Sequence, residues 1–147
     1  MTDHSHKKII AFVGLPGSGK TTAVSYLTSK GYPKISRADD VVSEITHLLN
    51  AGQHTIVLDN IESSDELRNI KHSFPGMLTT ICLVTSHHIR HARRSGTMKT
   101  QPELDGDDWA VAGSSASSPM VLADYWVPND ASVQQLNDSI HSIISSL

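Results

Sequence analysis

Cysteine is almost absent: Cys82 stands alone in 147 residues, so no disulfide can form within the chain. Its apolar setting, ICLV, fits a buried thiol in a reducing compartment. A basic excess is also missing. Twelve Lys and Arg face fifteen Asp and Glu, a formal charge of -3, and that near balance excludes a general nucleic-acid binder. No apolar run approaches the ~20 residues that cross a bilayer, so no membrane partner is expected. The segment MTDHSHKK lacks the apolar centre of a secretory signal, which predicts a cytoplasmic protein. Neither an internal repeat nor a linker divides the chain. Residues 1–147 read as one domain, expected as a monomer or homodimer. With 38% hydrophobic and 18% charged residues, the composition is that of an ordinary globular chain.

The apolar residues are arranged in short blocks. Ile9, Ile10, Ala11, Phe12 and Val13 form a continuous run that stops at Gly14. Continuous apolarity over such a length predicts a strand covered on both faces, as in parallel sheets. Residues 21–30 then read as a helix with Ala23, Val24 and Leu27 on one side. The alternation recurs: a short strand over 32–36, a helix over 38–52, a strand over 54–61, and a helix over 63–74 with a serine cap and acids in its first turn. The most apolar strand follows Pro75 and Gly76. A basic helix is expected over 87–96, a strand within 121–130, and an amphipathic helix over 132–147. Between 97 and 119 the apolar period is lost, which predicts a mobile flap with at most a short helix. Strands separated by helices of ~10–15 residues indicate right-handed βαβ crossovers and a parallel sheet between helical layers.

The chemistry begins where the first strand ends. GLPGSGKT, residues 14–21, fits the Walker A pattern GxxxxGKT, with Thr22 following. Gly14, Gly17 and Gly19 permit the backbone angles and close approach that a β-carbon obstructs. With Pro16 and Ser18 they form a loop whose amides can converge on an anion at a helix N-terminus. Lys20 is placed to bridge the outer phosphates and Thr21 to offer a hydroxyl to magnesium. Asp59 ends the apolar run TIVL, where a carboxylate reaches magnesium through its water shell.

On these residues the chain resembles the P-loop nucleotide kinases, and more narrowly the archaeal dephospho-CoA kinase-like and adenylate kinase-like proteins. The resemblance rests on residues 9–23, 31–45, 55–76 and 122–136. It implies a three-layer α/β P-loop NTPase fold with a five-stranded parallel sheet of order 2-3-1-4-5 and helices on both faces. It implies ATP as phosphoryl donor with Mg2+, and transfer of the γ-phosphoryl group to a nucleoside or deoxynucleoside monophosphate, with dephospho-CoA as the second choice of acceptor. It places Asn129, Asp130 and Ala131 beside the nucleotide base, and starts a lid near residue 95 that runs to about 119. Arg90, Arg93 and Arg94 would close over the phosphates, Arg90 and Arg94 foremost. Asp40 would face the acceptor, with Asp39 as the helix cap.

Two positions depart from the pattern. Ser43 and Glu62 stand where it places arginines that hold an acceptor phosphate, with Arg37 as a compensating cation. Their absence supports a contrasting reading, a non-catalytic nucleotide-binding protein. Among the nine histidines, His87 and His91 have helical i, i+4 spacing but no third ligand at a convincing distance, so they read as an exposed polar face rather than a metal site. Trp109 is expected to pack the flap down, and Trp126 to find a partner for its ring nitrogen.

Overall fold

The computed structural model of the chain describes residues 6–94, 96 and 99–147. Its elements run β1 (Lys8–Val13), α1 (Lys20–Thr28), β2 (Lys34–Ile35), α2 (Val41–Asn50), β3 (Thr55–Leu58), α3 (Ser64–Ser73), β4 (Leu78–Val84), α4 (His87–Arg94), α5 (Gln101–Ala112), α6 (Ser117–Val121), β5 (Tyr125–Pro128) and α7 (Val133–Ser145). The five strands form one sheet of order β2-β3-β1-β4-β5, parallel throughout. This is the order that the resemblance implies.

Strand β1 lies at the centre, and its alternation serves both layers. Ile9, Ala11 and Val13 enter a core with Ile45 and Leu49 of α2 and Leu67 and Ile70 of α3. Ile10 and Phe12 enter a second core with Ala23, Val24 and Leu27 of α1 and Leu136 and Ile140 of α7. Five residues of β1, from Ile9 to Val13, are at most 1% exposed. A strand sealed on both faces is a stiff support, and its carboxyl end is where the Gly14 turn begins.

The helices start where side chains can satisfy their open amides. Ser63 accepts from the Glu66 amide at 3.1 Å, and Asp65 and Glu66 sit in the first turn of α3. Ser132 caps α7 through the Gln135 amide at 3.2 Å. In α2 the cap is Asp40, which accepts from the Ser43 amide at 3.1 Å and the Ser43 hydroxyl at 2.8 Å. That corrects the expectation that Asp39 would cap this helix.

The flap expected over 97–119 is corrected too. Thr97 and Met98 lie outside the described residues, as does Ser95, but α5 is a twelve-residue helix. Thr100 and Glu103 close it with a reciprocal capping box, Thr100 accepting from the Glu103 amide and Glu103 from the Thr100 amide. The apolar period is missing because α5 docks chiefly by charge. Asp105 meets His87, Asp107 meets Arg94 and Lys99, and Asp108 meets Arg90 and His91. Trp109, expected to pack this segment down, is instead 78% exposed. Trp126 finds its partner in the Met120 carbonyl at 3.2 Å. Strand β2 is shorter than the five residues expected, since only Lys34 and Ile35 pair with β3. Among the described residues no helix is long and apolar enough to cross a membrane.

Candidate phosphate-binding site

Parallel strands bring their carboxyl ends to one edge, and the order reverses beside β1, where β3 and β4 flank it. A crevice at such a switch point is the usual ligand position in open α/β sheets. Here residues 14–21 rise from β1 and lead into α1, and Asp59 follows directly on β3.

The loop's carbonyls are engaged, three of them by side chains packed behind the loop. The Gly14 carbonyl accepts from Lys20 Nζ at 2.5 Å, and the Leu15 carbonyl from the Ser18 amide at 3.1 Å. Arg90 Nη1 reaches the Pro16 carbonyl at 3.2 Å, and Arg93 Nη1 the Gly17 carbonyl at 3.1 Å. The Ser18 carbonyl accepts from Asn129 Nδ2 at 2.8 Å and from Thr85 Oγ1 at 3.2 Å. A trans peptide sets each N–H opposite the preceding C=O. Holding the Pro16 carbonyl on Arg90 and the Ser18 carbonyl on Asn129 therefore turns the amides of Gly17 and Gly19 away from those side chains. The first amides of α1 also lack partners inside their helix and carry its positive dipole end. Converging backbone amides beside a helix start are the kind of arrangement that suits an anion.

Glycine is required at two of these positions. Gly17 (φ +81°) and Gly19 (φ +104°) occupy the left-handed region, and a β-carbon on Gly19 would run into the Asn129 amide. One on Gly17 would lie 2.9 Å from the Arg90 carbonyl. Ser18 is 1% exposed and its hydroxyl has no partner among the described residues, so this side chain is buried beneath the loop. Thr21 and Thr22 are exposed in the first turn of α1.

Lys20, Thr21 and Asp59 line one cavity of about 490 Å³ with Ser36, Arg37, Asn60 and Glu62. Burial lowers the Lys20 pKa, opposed by the thiol of Cys82 and the carboxylate of Asp59. The structure thus brings together the lysine, the hydroxyl and the strand-end acid that the sequence singles out. An adjoining cavity of about 430 Å³ shares Ser36, Arg37, Asn60 and Glu62 and adds Asp39, Glu44 and Glu66. Asp40 is not among its lining residues; its carboxylate is engaged by Ser43, which holds its pKa below the ordinary carboxyl value.

The arginines and Asn129 are engaged with protein groups. Arg90 is 5% exposed. Its guanidinium bonds Asp108 Oδ1 at 2.8 Å and the Thr85 carbonyl at 3.2 Å as well as Pro16. Arg94 Nη2 pairs with Asp107 at 2.7 Å. Asn129, 6% exposed, donates its side-chain amide to the Ser18 carbonyl, and its backbone carbonyl accepts from Thr85 and Arg93. The Asp130 carboxylate accepts from the Ser86 amide at 2.7 Å. Thr85, Arg93 and Asn129 form a bracket behind the loop, and Asp108 anchors Arg90; no residue spacing announces either arrangement.

His91 is buried rather than exposed, with Nε2 3.0 Å from Asp108 Oδ2, and His87 Nε2 lies 2.9 Å from Asp105. Ligand atoms of His87, His91 and Asp108 fall within 4.8 Å of one another, but Arg90 already neutralises that carboxylate. Burial raises the Asp108 pKa, and the Arg90 and His91 hydrogen bonds outweigh it, leaving the carboxyl below its ordinary value.

No protein-family model matches the sequence. Among curated proteins, the chain is 22% identical to a UPF0200 protein of Thermococcus onnurineus, covering 95% of this chain and 97% of that one. It is 27% identical to a UPF0200 protein of Pyrobaculum aerophilum over 65% of this chain and 70% of that protein. Among solved structures, shikimate kinase from Acinetobacter baumannii in complex with shikimate superposes with a TM-score of 0.64 at 14% identity, covering 95% and 94% of the two chains. A gluconokinase from Sinorhizobium meliloti gives 0.56 at 15% identity over 96% and 95%. The chain has the fold of the P-loop kinases.

Proposed function

We propose that this protein is a nucleotide-dependent phosphotransferase that moves the γ-phosphoryl group of ATP to a small acceptor. The observation that carries the reading is the loop of residues 14–21, its Pro16, Gly17 and Ser18 carbonyls held by Arg90, Arg93 and Asn129, leading into a cavity lined by Lys20, Thr21 and Asp59. Amides of Gly17 and Gly19 and the start of α1 would cradle the phosphates, with Lys20 as the mobile charge on the outer ones. Lys20 now donates to the Gly14 carbonyl, a bond it would exchange for a phosphate oxygen. Thr21 and Asp59 fit a magnesium ion, since a hydroxyl and a carboxylate on one cavity wall are hard oxygen donors. The ion would neutralise phosphate charge during transfer.

Arg90 would act by holding the Pro16 carbonyl, and Arg94, nearer the surface, would trade Asp107 for the transferring phosphoryl group. The segment from 95 to 119, with α5, would then serve as the lid. Asn129 supports the loop. Asp39 lines the acceptor-side cavity and takes the acceptor-facing role expected of Asp40. The kinase neighbours, whose names include shikimate and gluconate enzymes, support transfer to a small molecule.

Calorimetry with magnesium and ATP or GTP, on the wild type and on Lys20→Ala, tests the cradle; heat that is lost in the variant is the expected result. An ADP-release assay over nucleoside monophosphates, dephospho-CoA and unphosphorylated alcohols tests transfer. The second reading, nucleotide binding without turnover, is favoured by the engagement of Arg90, Arg93 and Arg94 with protein groups. Binding with no phosphorylated product from any acceptor would select it.

A further inference from the structure

The cavity of about 430 Å³ beside the phosphate loop carries a charge that the proposed reaction must accommodate. It shares Ser36, Arg37, Asn60 and Glu62 with the Lys20 cavity. That shared wall, not its acidity, marks it as the acceptor side. Its floor is apolar, made by Ile35, Ala38, Val41 and Leu58. Its walls carry four carboxylates, Asp39, Glu44, Glu62 and Glu66, against the single guanidinium of Arg37. Ser43, at one of the two positions where a phosphate-holding arginine is expected, does not line it; the Ser43 hydroxyl instead bonds Asp40. Glu62, at the other, brings the opposite charge to both cavities.

A phosphorylated acceptor would set its own negative charge among these carboxylates, and like charges brought together at a binding surface are penalised. A positive group would be welcomed by the same field. We propose, on the reading given above, that the acceptor is an unphosphorylated alcohol carrying an ammonium group, such as an amino alcohol or amino sugar. Its ammonium would sit between Glu62 and Glu66, with its hydroxyl toward Lys20. Burial and the neighbouring Glu62 charge raise the Glu66 pKa, against a hydrogen bond from the Glu62 amide. Those two carboxylates therefore repel each other, and an ammonium would relieve that repulsion. In the transfer, the acceptor hydroxyl oxygen bonds to the γ-phosphorus. The bond from that phosphorus to the bridging oxygen breaks, and its electron pair leaves with ADP. The hydroxyl proton passes to Asp39 and on to solvent.

The test measures magnesium-ATP-dependent ADP release from the intact chain with ethanolamine and glucosamine, their uncharged counterparts ethylene glycol and glucose, AMP and dephospho-CoA. Phosphorus NMR identifies the products. The amines are expected to show kcat/KM at least about tenfold above their counterparts, the magnitude of a charge-assisted hydrogen bond. Glu62→Gln and Glu66→Gln should each raise KM for the amine roughly 10–100-fold, and Glu66→Gln, which lines the acceptor-side cavity and not the Lys20 cavity, should leave the magnesium-ATP Kd unchanged. Equal turnover of amine and uncharged alcohol overturns the inference, as does faster turnover of AMP or dephospho-CoA. So does ATP binding with no ADP release from any amine, which leaves the phosphate cradle standing. Loss of ATP binding itself would instead refute the reading on which the inference rests.

Discussion

Asn129 Nδ2 donates to the Ser18 carbonyl across 2.8 Å, joining residues 111 apart in sequence. The bond fastens the end of β5 to the loop of residues 14–21, and the Asn129 backbone carbonyl accepts from Arg93 and Thr85. Asn129→Ala should therefore act on loop shape. Losing a buried hydrogen bond and the packing around it costs about 1–3 kcal/mol, readable by urea denaturation. Magnesium-ATP affinity should fall about tenfold without change of base preference. A variant that instead altered the choice between ATP and GTP would show that Asn129 reads the base.

Arg90 and Asp108 form a buried pair, with side chains 6% and 10% exposed. Asp108→Ala strands the guanidinium and should cost about 3–5 kcal/mol, as removal of one partner of a buried pair does. The pH dependence follows from the lowered Asp108 pKa. A carboxyl depressed on folding stabilises fully above its unfolded value near ~3.9. That contribution disappears as pH falls through the lower folded value. Hydrogen exchange in α5 should accelerate over that interval before the sheet is affected, and Asp108→Asn should remove this part of the acid dependence.

Cys82 is 6% exposed, and burial raises its pKa while Lys20 opposes the shift. A protonated, covered thiol is a poor nucleophile. Ellman's reagent should label it slowly in the folded protein and at once in urea. Magnesium-ATP, by stabilising the fold around the loop, should slow the native reaction further. Rapid native labelling would contradict the burial.

Neighbouring aspartates separate by role. Asp40→Asn should preserve the start of α2, because asparagine is as good a cap, and should leave phosphoryl transfer near the wild-type rate. Asp39→Asn should lower kcat roughly 10²–10⁴-fold, the range of a positioned general base, with little change in thermal midpoint. Steady-state kinetics beside a melting curve distinguishes the two.

Much of the fold was legible because one signal carries it. A continuous apolar run such as residues 9–13 demands cover on both faces, and Walker A glycines demand a strand before and a helix after. The resemblance supplied the strand order. Lys20, Thr21 and Asp59 share a cavity because the loop after β1 and the end of β3 lie at one edge of the sheet. The α5 helix was not legible as a helix: periodicity detects apolar stripes, and α5 docks through Asp105, Asp107 and Asp108. Thr100 and Glu103 were the available local sign. The Asn129 role was hidden for another reason, since a bond between residues 18 and 129 has no expression in local pattern. The cap of α2 falls on Asp40 rather than Asp39, because adjacent acids at a helix start are interchangeable until the backbone turn is known.

The fastening of α5 is unequal along its length. Its links to His87 and Lys99 stand in solvent, whereas the grip of Asp108 on Arg90 is closed off. Dissolved ions weaken exposed attractions and leave sheltered ones nearly intact. In brine, α5 should consequently swing about Asp108 as a pivot rather than come away, keeping the Pro16 side of the loop braced while its outer turns drift.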